Sequence, residues 1–277
     1  MDTLLTHGSV FMIPAERHKT ILSLLSQQEV ISINELVEQL DVSHMTIRRD
    51  IAKLEKLGKV LSVSGGVQLT KVLHQEPSHD AKATQHASEK AAIGHIASQL
   101  VPSHSTVYLD AGTTTLEIAH QLAPRDDLLF ITNDFVIAAY LTHHSLSDLY
   151  HTGGRVDREN QSSVGSKVSD FLAGMNVDVA FVSTSSWNLR GISTPSEPKV
   201  IVKKAVAAAA QKVILVSDSS KYGKVATFHA LDIQSFDAVI TDASFPTSVR
   251  QELEEKGIQV LMETSAVSVT ALGEATV

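Results

Sequence analysis

Cysteine is absent from all 277 residues. That excludes disulfides, thiol catalysis and any cysteine-based zinc site. No apolar run approaches the length needed to span a bilayer, so no membrane partner is expected. The first residues lack a basic stretch followed by an apolar core, so no secretion signal is expected and a cytoplasmic location fits. There is a single tryptophan, Trp187, which suits either a pocket wall or an interface anchor. The thirteen histidines include no His-x-x-x-His pair with a carboxylate on one helix, so no metal site and no cofactor are expected. Positive charge is short as well: the formal net charge is −8, unpromising for a protein that meets a polyanion.

The deficit is uneven. Residues 12–70 hold 7 Lys and Arg against 7 Asp and Glu, whereas the remainder holds 16 against 24. Within residues 43–57 the balance turns to 4 basic against 2 acidic. Positive charge is therefore gathered on one short segment, while the bulk of the chain discourages unspecific attraction to nucleic acid.

That segment has the punctuation of a DNA-reading helix. Ser32-Ile-Asn-Glu35 is a capping-box pattern, and Ile33, Leu36, Val37 and Leu40 form one apolar stripe. Asp41-Val42 breaks the stripe, and Ser43 is placed to cap a second helix. In that helix Ile47, Ile51 and Leu54 recur at i, i+4 and i+7 and face a core. Met45, Arg49 and Lys56 then point outward, with Arg48 and Lys53 on the flanks. Gly58 supplies the glycine after the helix end. An earlier helix, roughly 14–27, opens on Pro14. After Gly58, residues 60–63 and 67–69 read as two strands joined around Ser64-Gly65-Gly66, a wing. The candidate DNA-binding residues are Ser43, His44, Met45, Thr46, Arg48, Arg49, Lys53 and Lys56. Met45, Thr46 and Arg49 are cast for base edges; Arg48, Lys53 and Lys56 are cast for phosphates.

The pattern Val42-Ser43-x-x-Thr46-Ile47-Arg48-Arg49-Asp50-Ile51-x-x-Leu54-x-x-x-Gly58, followed by Gly65-Gly66, resembles the DeoR family of bacterial sugar-metabolism repressors, and within it the YgbI-like members. The likeness runs over roughly residues 13–262. Family members often carry an arginine and a histidine just before the paired glycines. Here Ser62 and Ser64 stand in their place, which implies a wing with a weaker hold on DNA.

Residues 1–11 read as a disordered extension, 12–70 as the winged helix-turn-helix, 71–88 as a polar linker, 89–262 as the larger domain and 263–277 as a mobile tail. In the larger domain strands are expected over 106–109, 128–132, 149–152, 179–182, 213–216, 238–240 and 259–261. Helices are expected over 113–122, 135–141, 167–173, 199–210 and 247–256. Such alternation gives an α/β fold with a mainly parallel sheet, whose ligands sit at the carboxyl ends of strands. The richest strand end is Tyr108-Leu-Asp-Ala-Gly-Thr-Thr-Thr-Leu116. There Gly112 permits a close backbone approach, and Thr113, Thr114 and Thr115 open a helix whose free amides suit an anion. The alternative is a plain threonine cap. Asp110 is expected to orient its own loop by accepting backbone N–H bonds. Other strand ends contribute Thr132, Asn133, Gly153, Gly154, Gly165 and Arg190. Lys221 reads as the one cation placed to meet a phosphate or carboxylate; the alternative is a solvated loop lysine.

The resemblance implies that the 108–116 loop and the Lys221 loop belong to an effector site, and that this domain shares the phosphosugar-isomerase-like fold. It implies a sensor of phosphorylated sugars, with a four-carbon sugar acid or its phosphate as the YgbI-like version. The expected function is a DNA-binding regulator, a repressor by resemblance, acting on operator DNA as a dimer or tetramer and released by a phosphorylated sugar or sugar acid. The alternative is a phosphosugar isomerase or deaminase with an added DNA-binding domain. No carboxylate pair or lysine base stands at a spacing that demands catalysis, so the chain reads as a non-enzyme.

Overall fold

The structure, a computed structural model, describes residues 12–63 and 65–263. The extension expected over 1–11, Ser64, and the tail expected over 263–277 apart from Glu263 lie outside the described residues. The chain divides between Val72 and Leu73 into two compact units.

The first unit holds α1 (Pro14–Leu25), β1 (Ile31–Ser32), α2 (Ile33–Leu40), α3 (His44–Lys56), β2 (Val60–Val63) and β3 (Gly66–Leu69). Each boundary has a local cause. The Ser32 hydroxyl accepts the Glu35 amide at 3.1 Å and starts α2; the Glu35 carboxylate takes a bond from Gln39 instead of reaching back. Asp41 ends α2 at φ 49, a left-handed position that Asp tolerates. Ser43 caps α3 by accepting the Thr46 amide. Gly58, at φ 69, closes α3, and the Lys59 amide reaches back to the Leu54 carbonyl. Ile21, Ile31, Leu36, Ile47, Leu54 and Val67 form a dry core. β2 and β3 pair antiparallel from Val60↔Leu69 to Val63↔Gly66, and β1 adds to the other side of β3.

The paired glycines do different jobs. Gly65 sits at φ +85 with open space around it, so backbone conformation selects it. Gly66 packs against β1, where a Cβ would lie inside the Ile31 carbonyl and 3.2 Å from the Ser32 Cα. Space, not conformation, selects the second glycine.

The second unit begins with α4 (His79–Ala83) and α5 (Ala87–Ser98). Then come β4 (Thr106–Leu109), α6 (Thr113–Leu122), β5 (Leu129–Thr132), α7 (Phe135–His144) and β6 (Asp148–His151). The chain continues through β7 (Arg155–Asp157), β8 (Ser162–Val164), α8 (Ser166–Leu172), β9 (Val177–Ser183), β10 (Ser186–Asn188), β11 (Gly191–Thr194) and α9 (Glu197–Ala209). It ends with β12 (Ala210–Val216), β13 (Phe228–Asp232), β14 (Ala238–Thr241), α10 (Thr247–Glu255) and β15 (Gln259–Met262). Seven strands form one parallel sheet in the order β15-β14-β12-β9-β4-β5-β6. Val107, Leu109, Phe130, Phe181, Val216 and Ile240 lie in a core shared with α5, α6 and α7. From β4 the chain moves out through β5 to β6, then returns to the far side of β4 as β9. Strand order reverses between β4 and β9, and the loops leaving their carboxyl ends part there, which is where an open α/β sheet makes a crevice.

One expected boundary changes. Residues 73–88 are not a free linker but belong to the second unit. The His79 amide donates to the Glu159 carbonyl, Lys82 reaches Asn160 at 2.8 Å, and Gln161 donates to Asp80. The polar composition that suggested a linker serves these contacts. Trp187 is neither pocket wall nor interface anchor: it is fully buried, donates to Ser217 at 3.1 Å and stacks on Phe245.

Candidate functional site

In the first unit the helical periodicity is realised. Ile47, Ile51 and Leu54 are buried, while Met45, Arg48, Arg49, Lys53 and Lys56 are exposed. Four cations therefore share the outer face of α3 with one apolar tip, Met45, which is 59% exposed. Ser43 and Thr46 are partly spent on the cap, their hydroxyls 3.0 Å apart. His44 bridges back to Asn34 at 3.0 Å. Glu55, on the same helix, holds the wing: its carboxylate accepts the Ser62 amide and hydroxyl at 2.8 and 2.9 Å. Ser62 thus fixes the angle of the wing from within.

The residue that sequence reasoning missed here is Asp50. It is buried on the same helix, α3, and takes Arg17 through Nε at 2.7 Å and Nη2 at 3.2 Å. His18 Nε2 lies 2.9 Å from the same carboxylate. Arg17 also donates to the Met12 carbonyl. These bonds fasten α1 to α3 and set the pose of the exposed face. Arg17 and Asp50 stand 33 positions apart, and no local pattern pairs them.

In the second unit a narrow cavity, with about 30 Å³ of free space, opens at the β4/β9 switch point. Asp110 and Ala111 line it from the end of β4, Ser183 and Thr184 from the end of β9, Asn133 from the loop after β5 and Ser162 from the start of β8. Lys199 and Lys203 of α9, and Glu76, complete its charged wall. Asp110 is 1% exposed. It accepts the Ser183 amide at 3.0 Å and pairs with Lys203, which also donates to the Ser183 carbonyl. Asp110 therefore clamps β4 to β9 and α9 and does not fold back on its own loop. Lys82 and Lys199 both pair with Glu76. Burial pulls the Glu76 carboxyl up, but the two ammonium groups outweigh it and hold the pKa at about 2.

Of the expected ligand residues, the cavity brings together only Asp110 and Asn133. The Asn133 side chain donates to the Ser163 carbonyl and accepts the Tyr108 hydroxyl. Thr115 donates to the Asp110 and Gly112 carbonyls, and Thr132 donates to the Leu109 carbonyl. Both hydroxyls are spent on the backbone. Gly112 does permit a close approach, but to Ser183: a Cβ there would sit 2.8 Å from the Ser183 Oγ. The Gly112 amide donates to Asp134 at 3.1 Å. The amides of Thr113, Thr114 and Thr115 have no acceptor among the described residues, as at any helix start, and none of the three lines the cavity. Gly153, Gly154 and Gly165 take left-handed backbone and stand off the cavity wall. Arg190 lines a separate concavity with His229. Lys221 is not the cation of the cavity; it lies 3.7 Å from Asp218. Lys199 and Lys203 take that place. Their spacing on one helix (i, i+4) is the signal the sequence offers for them. Among the described residues no cluster of metal-ligating side chains occurs, and no helix is long and apolar enough to cross a membrane.

A winged helix-turn-helix with an outward basic helix, carried on one chain with an α/β unit that has a polar cavity, defines the class of helix-turn-helix transcriptional regulators with a sensor domain. Residues 17–72 match the model of the DeoR-like helix-turn-helix domain, and residues 85–243 match that of the DeoR C terminal sensor domain. The chain belongs to the DeoR family. It is 56% identical over 251 residues to an uncharacterized HTH-type transcriptional regulator of Haemophilus influenzae, covering 91% of this chain and 98% of that one. It is 48% identical to the uncharacterized HTH-type transcriptional regulator YgbI of Escherichia coli, with the same coverage. The glycerol-3-phosphate regulon repressor of Escherichia coli is 33% identical, covering 88% of this chain and 97% of that protein. Among solved structures, ribose 5-phosphate isomerase from Plasmodium falciparum aligns with 49% of this chain and 52% of its own, at 16% identity and a TM-score of 0.36.

Proposed function

We propose that the chain is a repressor of a carbohydrate or sugar-acid utilisation operon. α3 enters the major groove of operator DNA, with Met45, Thr46 and Arg49 on base edges and Ser43, His44, Arg48, Lys53 and Lys56 on the backbone. A phosphorylated sugar or sugar acid binds the α/β unit at the β4/β9 crevice and shifts the ensemble away from the DNA-competent arrangement. The first unit carries equal numbers of acidic and basic residues, so one copy holds few phosphates. Pairing of subunits into a dimer or tetramer on two half-sites supplies the remaining affinity. Such a protein works where the chromosome is, in the cytoplasm.

The observation that carries this reading is the division of α3 into a fully buried apolar face and a fully exposed cationic one. The names of relatives lend support, among them the glycerol-3-phosphate regulon repressor and a putative aga operon transcriptional repressor. Arg49→Ala is the test. It is expected to cost about 1–3 kcal/mol of operator binding and to blur preference at one base pair. A gel-shift series in which Arg49→Ala keeps both affinity and base preference refutes the assignment of faces.

The Lys203–Asp110 pair favours a second reading, because a buried lysine beside a carboxylate is equipment for proton transfer. Turnover of ribose 5-phosphate or an amino-sugar phosphate by the purified chain would support the isomerase or deaminase reading. Ligand binding without turnover would support the regulator.

A further inference from the structure

Three ammonium groups and three carboxylates form one cluster: Lys199, Lys203, Glu76 and Asp110 line the cavity, and Lys82 and Asp157 are ion-paired to Glu76 and Lys199. Lys203 pairs with Asp110. Lys82 and Lys199 hold Glu76 at 2.7 and 2.5 Å, and Lys199 lies 3.8 Å from Asp157. The Lys82, Lys199 and Glu76 side chains are only 12, 13 and 14% exposed. Charge balances in this cluster only while Glu76 is in place. An added oxyanion would set four negative charges against three positive ones, where shielding by water is weak. With Glu76 withdrawn, the same anion would meet two ammonium groups already spaced for a carboxylate.

A second observation points to a ligand. Ser162 lines the same cavity, is fully buried, and its hydroxyl oxygen has no hydrogen-bond partner among the described residues. A buried hydroxyl left unmet is uncommon and marks a place where a ligand polar group completes the bonding. A third observation concerns the tether. Glu76 lies on the irregular stretch between Leu73, where the second unit begins, and α4. α4 is held by its own bonds, from the His79 amide to Glu159 and from Lys82 to Asn160. Glu76 can therefore leave without unmaking α4.

We propose that Lys82 and Lys199 form the oxyanion subsite of the effector cavity, and that Glu76 is its built-in occupant, displaced when the carboxylate or phosphate of the effector binds. The assignment rests on reading this cavity as the effector site. Because Glu76 stays ionised throughout the neutral range, it competes as a full charge. Its displacement frees residues 74–77, the irregular stretch between the strand Lys71–Leu73 and the Ser78 cap of α4, and so gives ligand binding a consequence for the segment that follows the DNA-binding unit in the chain.

The test titrates inorganic phosphate and, separately, glycerate into the full-length chain and its Glu76→Gln variant by calorimetry. Gln keeps the size and the hydrogen bonding but removes the competing charge. At least one of the two anions is expected to bind roughly ten-fold tighter to the variant, as fits the loss of a full opposing charge in a shielded site. The tighter arm tells carboxylate from phosphate, and adding Lys199→Gln should erase the gain. Affinities within about two-fold of the parent for both anions, or no binding of either to the folded variant, overturn the proposal. Should the variant not fold, hydrogen exchange on the parent chain decides. Faster exchange of residues 74–77 at saturating anion supports the proposal, and unchanged exchange overturns it. Operator release by sugar phosphates or sugar acids with both readouts flat would sink the Glu76 assignment while sparing the effector reading. A Glu76→Gln gain without any operator release by such compounds would do the reverse.

Discussion

Asp50→Asn should abolish DNA binding although Asp50 is buried and offers nothing to the duplex. In the native unit Asp50 takes two bonds from Arg17 and lies against His18, with the Arg17 and Asp50 side chains only 10% and 8% exposed. Taking the charge from one partner leaves the other desolvated and unmatched, which costs about 3–5 kcal/mol. A unit of roughly 60 residues has about 3–9 kcal/mol of stability in all, at about 0.05–0.15 kcal/mol per residue. The substitution therefore consumes about a third of it or more, and α1 loses its anchor on α3. The assay is urea denaturation of the full chain, followed by limited proteolysis to assign the transitions to the two units. The first unit should melt at much lower urea while the α/β unit is unmoved. A companion, Arg17→Met with Asp50→Leu, should recover most of the loss, because apolar residues of similar volume replace a buried pair at little cost. If Asp50→Asn lowers the stability of the first unit by less than about 1 kcal/mol, the pair is not the fastening described and the reasoning fails.

Three further outcomes follow from single positions. Gly66→Ala should destabilise the wing by about 1–3 kcal/mol, since the new methyl meets immobile backbone of β1; Gly65→Ala should be strained for a different reason, its left-handed φ. Equal and negligible effects on the first-unit melting transition would contradict both accounts. Asp134 is fully buried and its pKa is raised to about 6, because burial outweighs the bonds from the Ile137, Val136 and Gly112 amides. The folded chain thus holds this proton more tightly than the unfolded chain. Its stabilising share is complete below about pH 4 and is lost as pH rises through 6, about 3 kcal/mol in all. Asp134→Asn keeps an acceptor for Val136 and Ile137 but removes the proton. The gap between parent and variant in the stability of the α/β unit should change by that amount between pH 4 and 7. A gap independent of pH would show that Asp134 titrates normally.

What could be read from the chain alone was whatever repeats within a few residues. The caps at Ser32 and Ser43, the i, i+4, i+7 rhythm of Ile47, Ile51 and Leu54, and the glycines at 58 and 65 are local, and each recurs in the fold within a residue or two of its expected place. The β-branched runs likewise became the parallel strands they resembled. The start of α6 at Thr113 was legible because a strand, a glycine and three threonines lie side by side.

Tertiary structure decided which side chains meet. Arg17 and Asp50 are 33 positions apart, Asp110 and Lys203 are 93 apart, and Glu76 and Lys199 are 123 apart. Periodicity carries no information at such separations; sheet order does. The reversal of strand order between β4 and β9 brings the Asp110 and Ser183 loops to one mouth and lays α9 along it, so Lys203 and not Lys221 becomes the cation there. Residues 71–88 misled for the same reason. Their polarity matched solvent in composition, but the partners that make it useful (Asn160, Glu159 and Lys199) arrive only once the sheet has closed.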